Sequence, residues 1–171
     1  MTRGGPLALS LSVVAVAVIG LSELTDLAPR IAYNPSPSAA QGFYLVRQTD
    51  ALAAGDLVLV QLPDAFESMV VERRYIGPNV PLLKRIVAVS GDHVCHRGGA
   101  VFVNGRYVAS ALRSDSAGRP MPIWRGCRRL DSHEFFALME GVETSLDSRY
   151  FGPLDRKLVL GTAEPLWLWY R

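Results

Sequence analysis

Hydrophobic positions along the chain change their spacing twice, and each change marks an element. From Gly4 to Ser22 there is no charged residue, and Leu7–Leu21 is almost wholly Ala, Val, Leu, Ile and Ser. About 19 such residues in a helix reach roughly 28 Å, one hydrocarbon core. The pattern predicts a transmembrane span within residues 1–27 and a separate domain over 28–171. A cleaved signal peptide is the rival reading, but its apolar stretch would be shorter, and the exit Glu23-Leu24-Thr25-Asp26 offers no small-x-small site.

After the span the spacing becomes that of short strands. Gly42–Val46 and the run Leu57–Leu62, stopped by Pro63, predict strands. Asp64 is placed to cap a helix through Phe66, Met69, Val70 and Arg73, ended by Gly77-Pro78-Asn79. Val80–Val89 predicts a strand closed by Ser90-Gly91-Asp92. Val101–Val103 and Arg106–Val108 flank Asn104-Gly105, a strong hairpin signal. Residues 109–132 read as polar and irregular, Glu134–Leu138 as a strand and Glu143–Gly152 as a polar loop. Leu158–Gly161 and Leu166–Tyr170 read as two closing strands, with Trp167, Trp169 and Tyr170 in the core; the alternative puts these aromatic rings at the lipid headgroups. No internal repeat is present. The expected class is a mostly-β domain on a membrane tether.

Composition sharpens this picture at three points. The net charge of +2 is spread along the chain, with no basic block that would suit nucleic acid. Arg3 precedes the apolar span and Glu23 and Asp26 follow it, which predicts a cytoplasmic N-terminus and a domain on the far side. The two cysteines, Cys95 and Cys127, suit an oxidising space if they pair; two unrelated buried thiols are the alternative. No CxxC or second ligand cluster accompanies His93 and His96, so neither a metal nor another cofactor is expected.

Of the 18 Lys and Arg, only Lys84 and Lys157 are lysines. Unlike Arg, Lys can lose its proton in a protein. Lys84 lies inside the apolar run, where burial would favour the neutral amine, a general base for a serine hydroxyl. The bland alternative points Lys84 to solvent, since Arg85 must face the other way. The hydroxyl candidates stand in Tyr33-Asn34-Pro35-Ser36-Pro37-Ser38-Ala39-Ala40-Gln41-Gly42, which prolines keep extended. Read alone, that stretch is equally a Pro/Ser linker. A Ser-His-Asp triad has no Gly-x-Ser-x-Gly to rest on.

Ser36-Pro37-Ser38, Leu83-Lys84-Arg85-Ile86 with Ser90-Gly91-Asp92-His93-Val94, and Ser145-Leu146-Asp147-Ser148-Arg149-Tyr150-Phe151-Gly152 together resemble three boxes of the type I signal peptidases. Asn34-Pro35-Ser36-Pro37-Ser38 before Gly42-Phe43-Tyr44, and the stretch from Gly118-Arg119-Pro120 to Cys127, resemble most closely the TraF-type conjugative transfer peptidases. The resemblance covers most of the chain from Asn34 onward. It implies a signal-peptidase-like, LexA-like β domain and a membrane-anchored Ser-Lys endopeptidase. Ser38 would be the nucleophile and Lys84 its base. The Ser36 hydroxyl and Ser38 N–H would form the oxyanion hole, Ser145 would orient the lysine, and Asp147 and Arg149 would be a structural ion pair.

The implied partner is an exported precursor polypeptide, most readily a conjugative pilin with small residues before the cut, met at the lipid surface. The implied location is the bacterial inner membrane, crossed once, with the domain in the periplasm. One departure is Ala40, where TraF-type enzymes usually carry Pro, and a looser loop is expected there. Three rival readings are a general leader peptidase, a non-catalytic tethered scaffold in pilus or secretion assembly, and a LexA-like repressor. The repressor would need a DNA-binding helix-turn-helix where this chain has an apolar span.

Overall fold

The computed structural model describes residues 30–169. The predicted span at 1–27 and Tyr170 lie outside them, and no described helix is long and apolar enough to cross a membrane. In chain order the strands are β1 (Ile31–Asn34), β2 (Gly42–Arg47), β3 (Leu57–Val60), β4 (Leu82–Ala88), β5 (His93–Arg97), β6 (Ala100–Val103), β7 (Arg106–Ser110), β8 (Gly126–Arg129), β9 (Glu134–Leu138), β10 (Leu154–Asp155) and β11 (Val159–Leu168). Helix α1 (Asp64–Glu72) joins β3 to β4, and the one-turn helix α2 (Ser148–Phe151) lies between β9 and β10. A larger sheet runs β1-β2-β11-β3-β4-β9-β10 and a smaller one β7-β6-β5-β8. The fold is mostly β, as the hydrophobic spacing predicts.

Strand period explains how the core is divided. Side chains alternate across a strand, so β9 sends Phe135 and Ala137 into one apolar cluster and Phe136 and Leu138 into another. The first cluster holds Val58, Val60, Ile86, Tyr150 and Phe151. The second holds Ala88, Val94, Val101 and Leu130 and joins the smaller sheet to the larger. A third, with Tyr44, Val46, Leu59, Leu83 and Ala163, lies under β2 and β11. On β4 the same alternation sets Lys84 between Leu82 and Ile86, both core residues, and turns Arg85 to solvent.

Several elements differ from the sequence reading. Asp64 is the first helical residue of α1, and the capping position falls to Pro63, which offers no side-chain bond. Asp64 instead places a carboxylate in the first turn, where the helix dipole favours it. The helix stops at Glu72, before Gly77: Arg73 closes it and Arg74 follows at φ +58°. Cys127 lies in a strand, β8, and is bonded to Cys95 directly opposite it on β5. The expected hairpin is present, with Asn104 and Gly105 both at positive φ, the backbone its tight turn requires.

The chain ends in one long strand, β11, where two were expected. Beyond Thr162 it pairs with β2 alone, with a bulge between Pro165 and Trp167. No element covers that end, so Trp167 and Trp169 are exposed, at 72% and 49%, and are not core. Trp169 instead meets Tyr33 and Phe43 at ring-centroid distances of 5.9 and 5.6 Å. Gly42 allows the close approach: a Cβ there would stand 2.1 Å from the Trp167 carbonyl oxygen.

Candidate active site

The β1–β2 connection, residues 35–41, carries Ser36 and Ser38, and its shape is set by Asn34. That side chain, 8% exposed, donates to the carbonyls of Ser36 (3.0 Å), Ala39 (3.2 Å) and Ala40 (3.1 Å), while its oxygen accepts from Ser36 N–H (3.1 Å). Asn followed by Pro is a turn-forming pair, but nothing in the sequence assigned Asn34 this task. Tyr44 O–H adds a 2.6 Å bond to the Ala40 carbonyl, and Gln41 donates to the Pro35 carbonyl. Ala40 therefore sits in a loop held by hydrogen bonds, not in the looser one expected from the missing proline.

The segment Ser145–Phe151, read from sequence as a polar loop, is interior: Ser145, Asp147, Ser148 and Arg149 are each 2% exposed or less. Asp147 Oδ1 accepts from Arg149 Nε at 2.8 Å and Oδ2 from a terminal guanidinium nitrogen at 3.1 Å. The remaining guanidinium hydrogens reach the carbonyls of Ser110 (3.1 Å), Glu143 (3.2 Å) and Met139 (2.9 Å). Asp147 also accepts from the Met139 and Arg149 N–H groups. A buried ion pair repays its lost hydration only when its other bonding capacity is filled, and here it is. The pair ties the end of β9 and the last residue of β7 to the loop that carries Ser145.

Lys84 reaches this loop from β4. Its Nζ lies 3.0 Å from Ser145 Oγ and 3.4 Å from Ser38 Oγ. Burial lowers its pKa from the ordinary lysine value to about 8; the Asp147 carboxylate opposes the shift and Arg149 adds to it. Lys84 is 5% exposed, so the structure places it on the inward side of the strand. Ser36 Oγ is 2.9 Å from Ser38 Oγ and accepts from Ser38 N–H at 3.2 Å. The two expected oxyanion donors thus bond to each other in this unliganded arrangement, and both would have to turn outward to serve an incoming carbonyl.

These groups open onto one cavity of about 650 Å³, mainly apolar, between the β1–β2 loop and the 112–121 segment. Ser36, Ser38, Lys84 and Ser145 line one part, Leu82 and Leu83 the floor, and Tyr75, Ile76 and Met121 the far wall. Asp147 and Arg149 lie behind it, and the Cys95–Cys127 bond belongs to the other sheet. Among the described residues no histidine lines the cavity and no His, Cys, Asp or Glu cluster could hold a metal.

The family model described as "Signal peptidase, peptidase S26" matches residues 7–169. The chain belongs to that family. A probable conjugal transfer protein TraF of Sinorhizobium fredii is 34% identical over 174 residues, covering 95% of this chain and 89% of its own. A plasmid transfer protein TraF of Escherichia coli is 31% identical over 91 residues, and the match spans about half of each chain, 52% and 51%. A signal peptidase I of Bacillus subtilis is 28% identical over 90 residues, 47% of this chain and 54% of its own. The crystal structure of a signal peptidase I from Enterococcus faecalis is 17% identical and covers 66% of this chain and 97% of its own, with a TM-score of 0.38. This peptidase-family chain is thus of the TraF type, on the strength of its sequence relatives.

Proposed function

We propose that this protein is a Ser-Lys endopeptidase that removes leader sequences from exported precursors, with Ser38 as nucleophile and Lys84 as general base. The observation that carries the reading is the buried amine, with its lowered pKa, between two serine hydroxyls at 3.0 and 3.4 Å. A neutral amine at that distance can take the Ser38 proton as Oγ attacks the scissile carbonyl. The negative charge that develops on the carbonyl oxygen would be met by Ser38 N–H and the Ser36 hydroxyl, after the turn described above. The ammonium then protonates the leaving amine, and water, deprotonated by the same lysine, hydrolyses the acyl ester. Ser145 holds the amine on this line of transfer, and the Asp147–Arg149 pair holds Ser145.

An apolar cavity of this size suits an extended polypeptide with small apolar side chains before the cut. The relatives named for conjugal transfer make a pilin-like precursor the proposed substrate. The uncharged stretch at Gly4–Ser22 supports a single-pass inner-membrane anchor within residues 1–27, with residues 28–171 in the periplasm. A formed disulfide suits that oxidising side. Tethering enzyme and precursor to one membrane would raise their effective concentration.

The test is processing of a candidate pilin precursor co-expressed with the full chain. Ser38→Ala, Lys84→Ala and Lys84→Arg are each expected to leave the precursor uncut while the protein accumulates normally, Arg failing because it cannot act as a base. Cutting by any one of them would dismiss the dyad.

A further inference from the structure

A second cavity, of about 290 Å³, lies on the reverse of the groove wall and shares no residue with the groove. Along 111–114 the chain alternates: Leu112 and Ser114 face the groove, while Ala111 and Arg113 face the second cavity. The same division recurs nearby, with Met121 on the groove side and Ile123 and Arg125 on the other. Two glycines of the β5–β6 turn, Gly98 and Gly99, complete the lining with His96.

His96 is 4% exposed, and its Nδ1 is a buried polar atom with no hydrogen-bond partner. An orphaned buried nitrogen costs free energy and requires an explanation. Neither Arg113 nor Arg125 makes a salt bridge among the described residues, so two cations and an unpartnered imidazole face the same space. Arginine forks match the oxygens of phosphate and carboxylate. A carboxylate can only accept, so it would satisfy Nδ1 in one tautomer alone. A phosphate monoester has acceptor oxygens and, in its monoanion, a P–O–H donor, so it satisfies either tautomer.

We propose that this cavity binds a phosphoryl group, with Arg113 and Arg125 on its oxygens and His96 Nδ1 as the buried hydrogen-bond partner. The ligand is a phosphate monoester, either free or as the headgroup of a membrane lipid.

The full chain in neutral detergent is titrated with inorganic phosphate and, separately, with short-chain phosphatidic acid, followed by calorimetry and by the imidazole resonances of the three histidines. Saturable binding at about millimolar concentration is expected, moving the His96 signal and leaving those of His93 and His133 in place. Arg113→Gln with Arg125→Gln, both exposed and safe for folding, should weaken it at least about tenfold. A control pair on other faces, Arg47→Gln with Arg74→Gln, should bind as the parent does. Tighter binding of the lipid than of phosphate assigns the site to a headgroup, and equal binding to a free phosphate. The proposal is overturned by no saturable binding, by an unmoved His96 signal, or by equal weakening in both double variants.

Discussion

Lys84 Nζ is closer to Ser145 Oγ, at 3.0 Å, than to the Ser38 hydroxyl at 3.4 Å. The resting amine is therefore anchored by Ser145 and has only a short distance to move to take a proton from Ser38. Replacing Ser145 by Ala removes the anchor from a site that is 2% exposed. A base displaced by about 1 Å loses roughly 100-fold in rate. Steady-state kinetics of Ser145→Ala on a precursor peptide should show that loss in kcat, with KM nearly unchanged. An equal fall in binding would assign Ser145 to the substrate pocket instead.

The pH dependence follows from the lowered lysine pKa. Activity needs the neutral amine, so kcat/KM should rise with pH through an apparent pKa of about 8 and level off above it. Stability runs in the same direction. Between about 8 and the ordinary value of 10.5 the unfolded chain binds more protons at this site than the folded one, so folding gains stability as pH rises through that window. Below it the full cost of the buried cation applies, about 3 kcal/mol. Lys84→Met should thus raise the melting temperature more at pH 7 than at pH 10.5, which thermal unfolding at the two pH values will decide.

Asn34 fixes the nucleophile loop through four hydrogen bonds. At about 1 kcal/mol net for each, partly recovered by water, Asn34→Ala should cost roughly 2–3 kcal/mol in denaturant unfolding and lower kcat/KM as well. Asn34→Asp should be worse than Ala, because it sets a negative charge against three carbonyl oxygens. Were Asp to behave like the parent, the three donated bonds would not be holding the loop.

The Cys95–Cys127 bond closes 32 residues of sequence separation. In the chain-entropy picture such a loop contributes up to ~4 kcal/mol, or roughly 10 °C in Tm for a domain of this size. Thermal unfolding with and without a dithiol should show that drop in the parent and none in the Cys95→Ala, Cys127→Ala double variant.

Strands with alternating or wholly apolar faces were legible in the sequence, and β2, β3, β4 and β9 all lie within expected runs. β8 was not, because all four of its residues, Gly126–Arg129, are exposed and so carry no hydrophobic period. Trp167 was misplaced for the opposite reason: a large apolar ring implies a core only if some element covers it, and coverage is a tertiary fact. Ser145–Arg149 read as a surface loop because its residues are polar; it is interior because those residues satisfy one another and nearby carbonyls. The role of Asn34 was hidden since it depends on where three carbonyls converge. Ser36, Ser38, Lys84 and Ser145 could be named in advance through resemblance, whereas spacing alone left Lys84 open to solvent.

Gly152 stands at φ +79°, and a Cβ built there would come 2.8 Å from the Trp124 indole. The indole takes the room that any other residue's side chain would need. Trp124 belongs to the same 121–125 stretch that divides the two cavities, and Gly152 follows directly on α2. A swap of this stretch between relatives, made to alter which precursor is cut, would therefore transfer cleanly only if tryptophan and glycine travel as a unit. Grafts that keep one and change the other should fail by loosening the floor beneath Lys84 before they reveal anything about substrate choice.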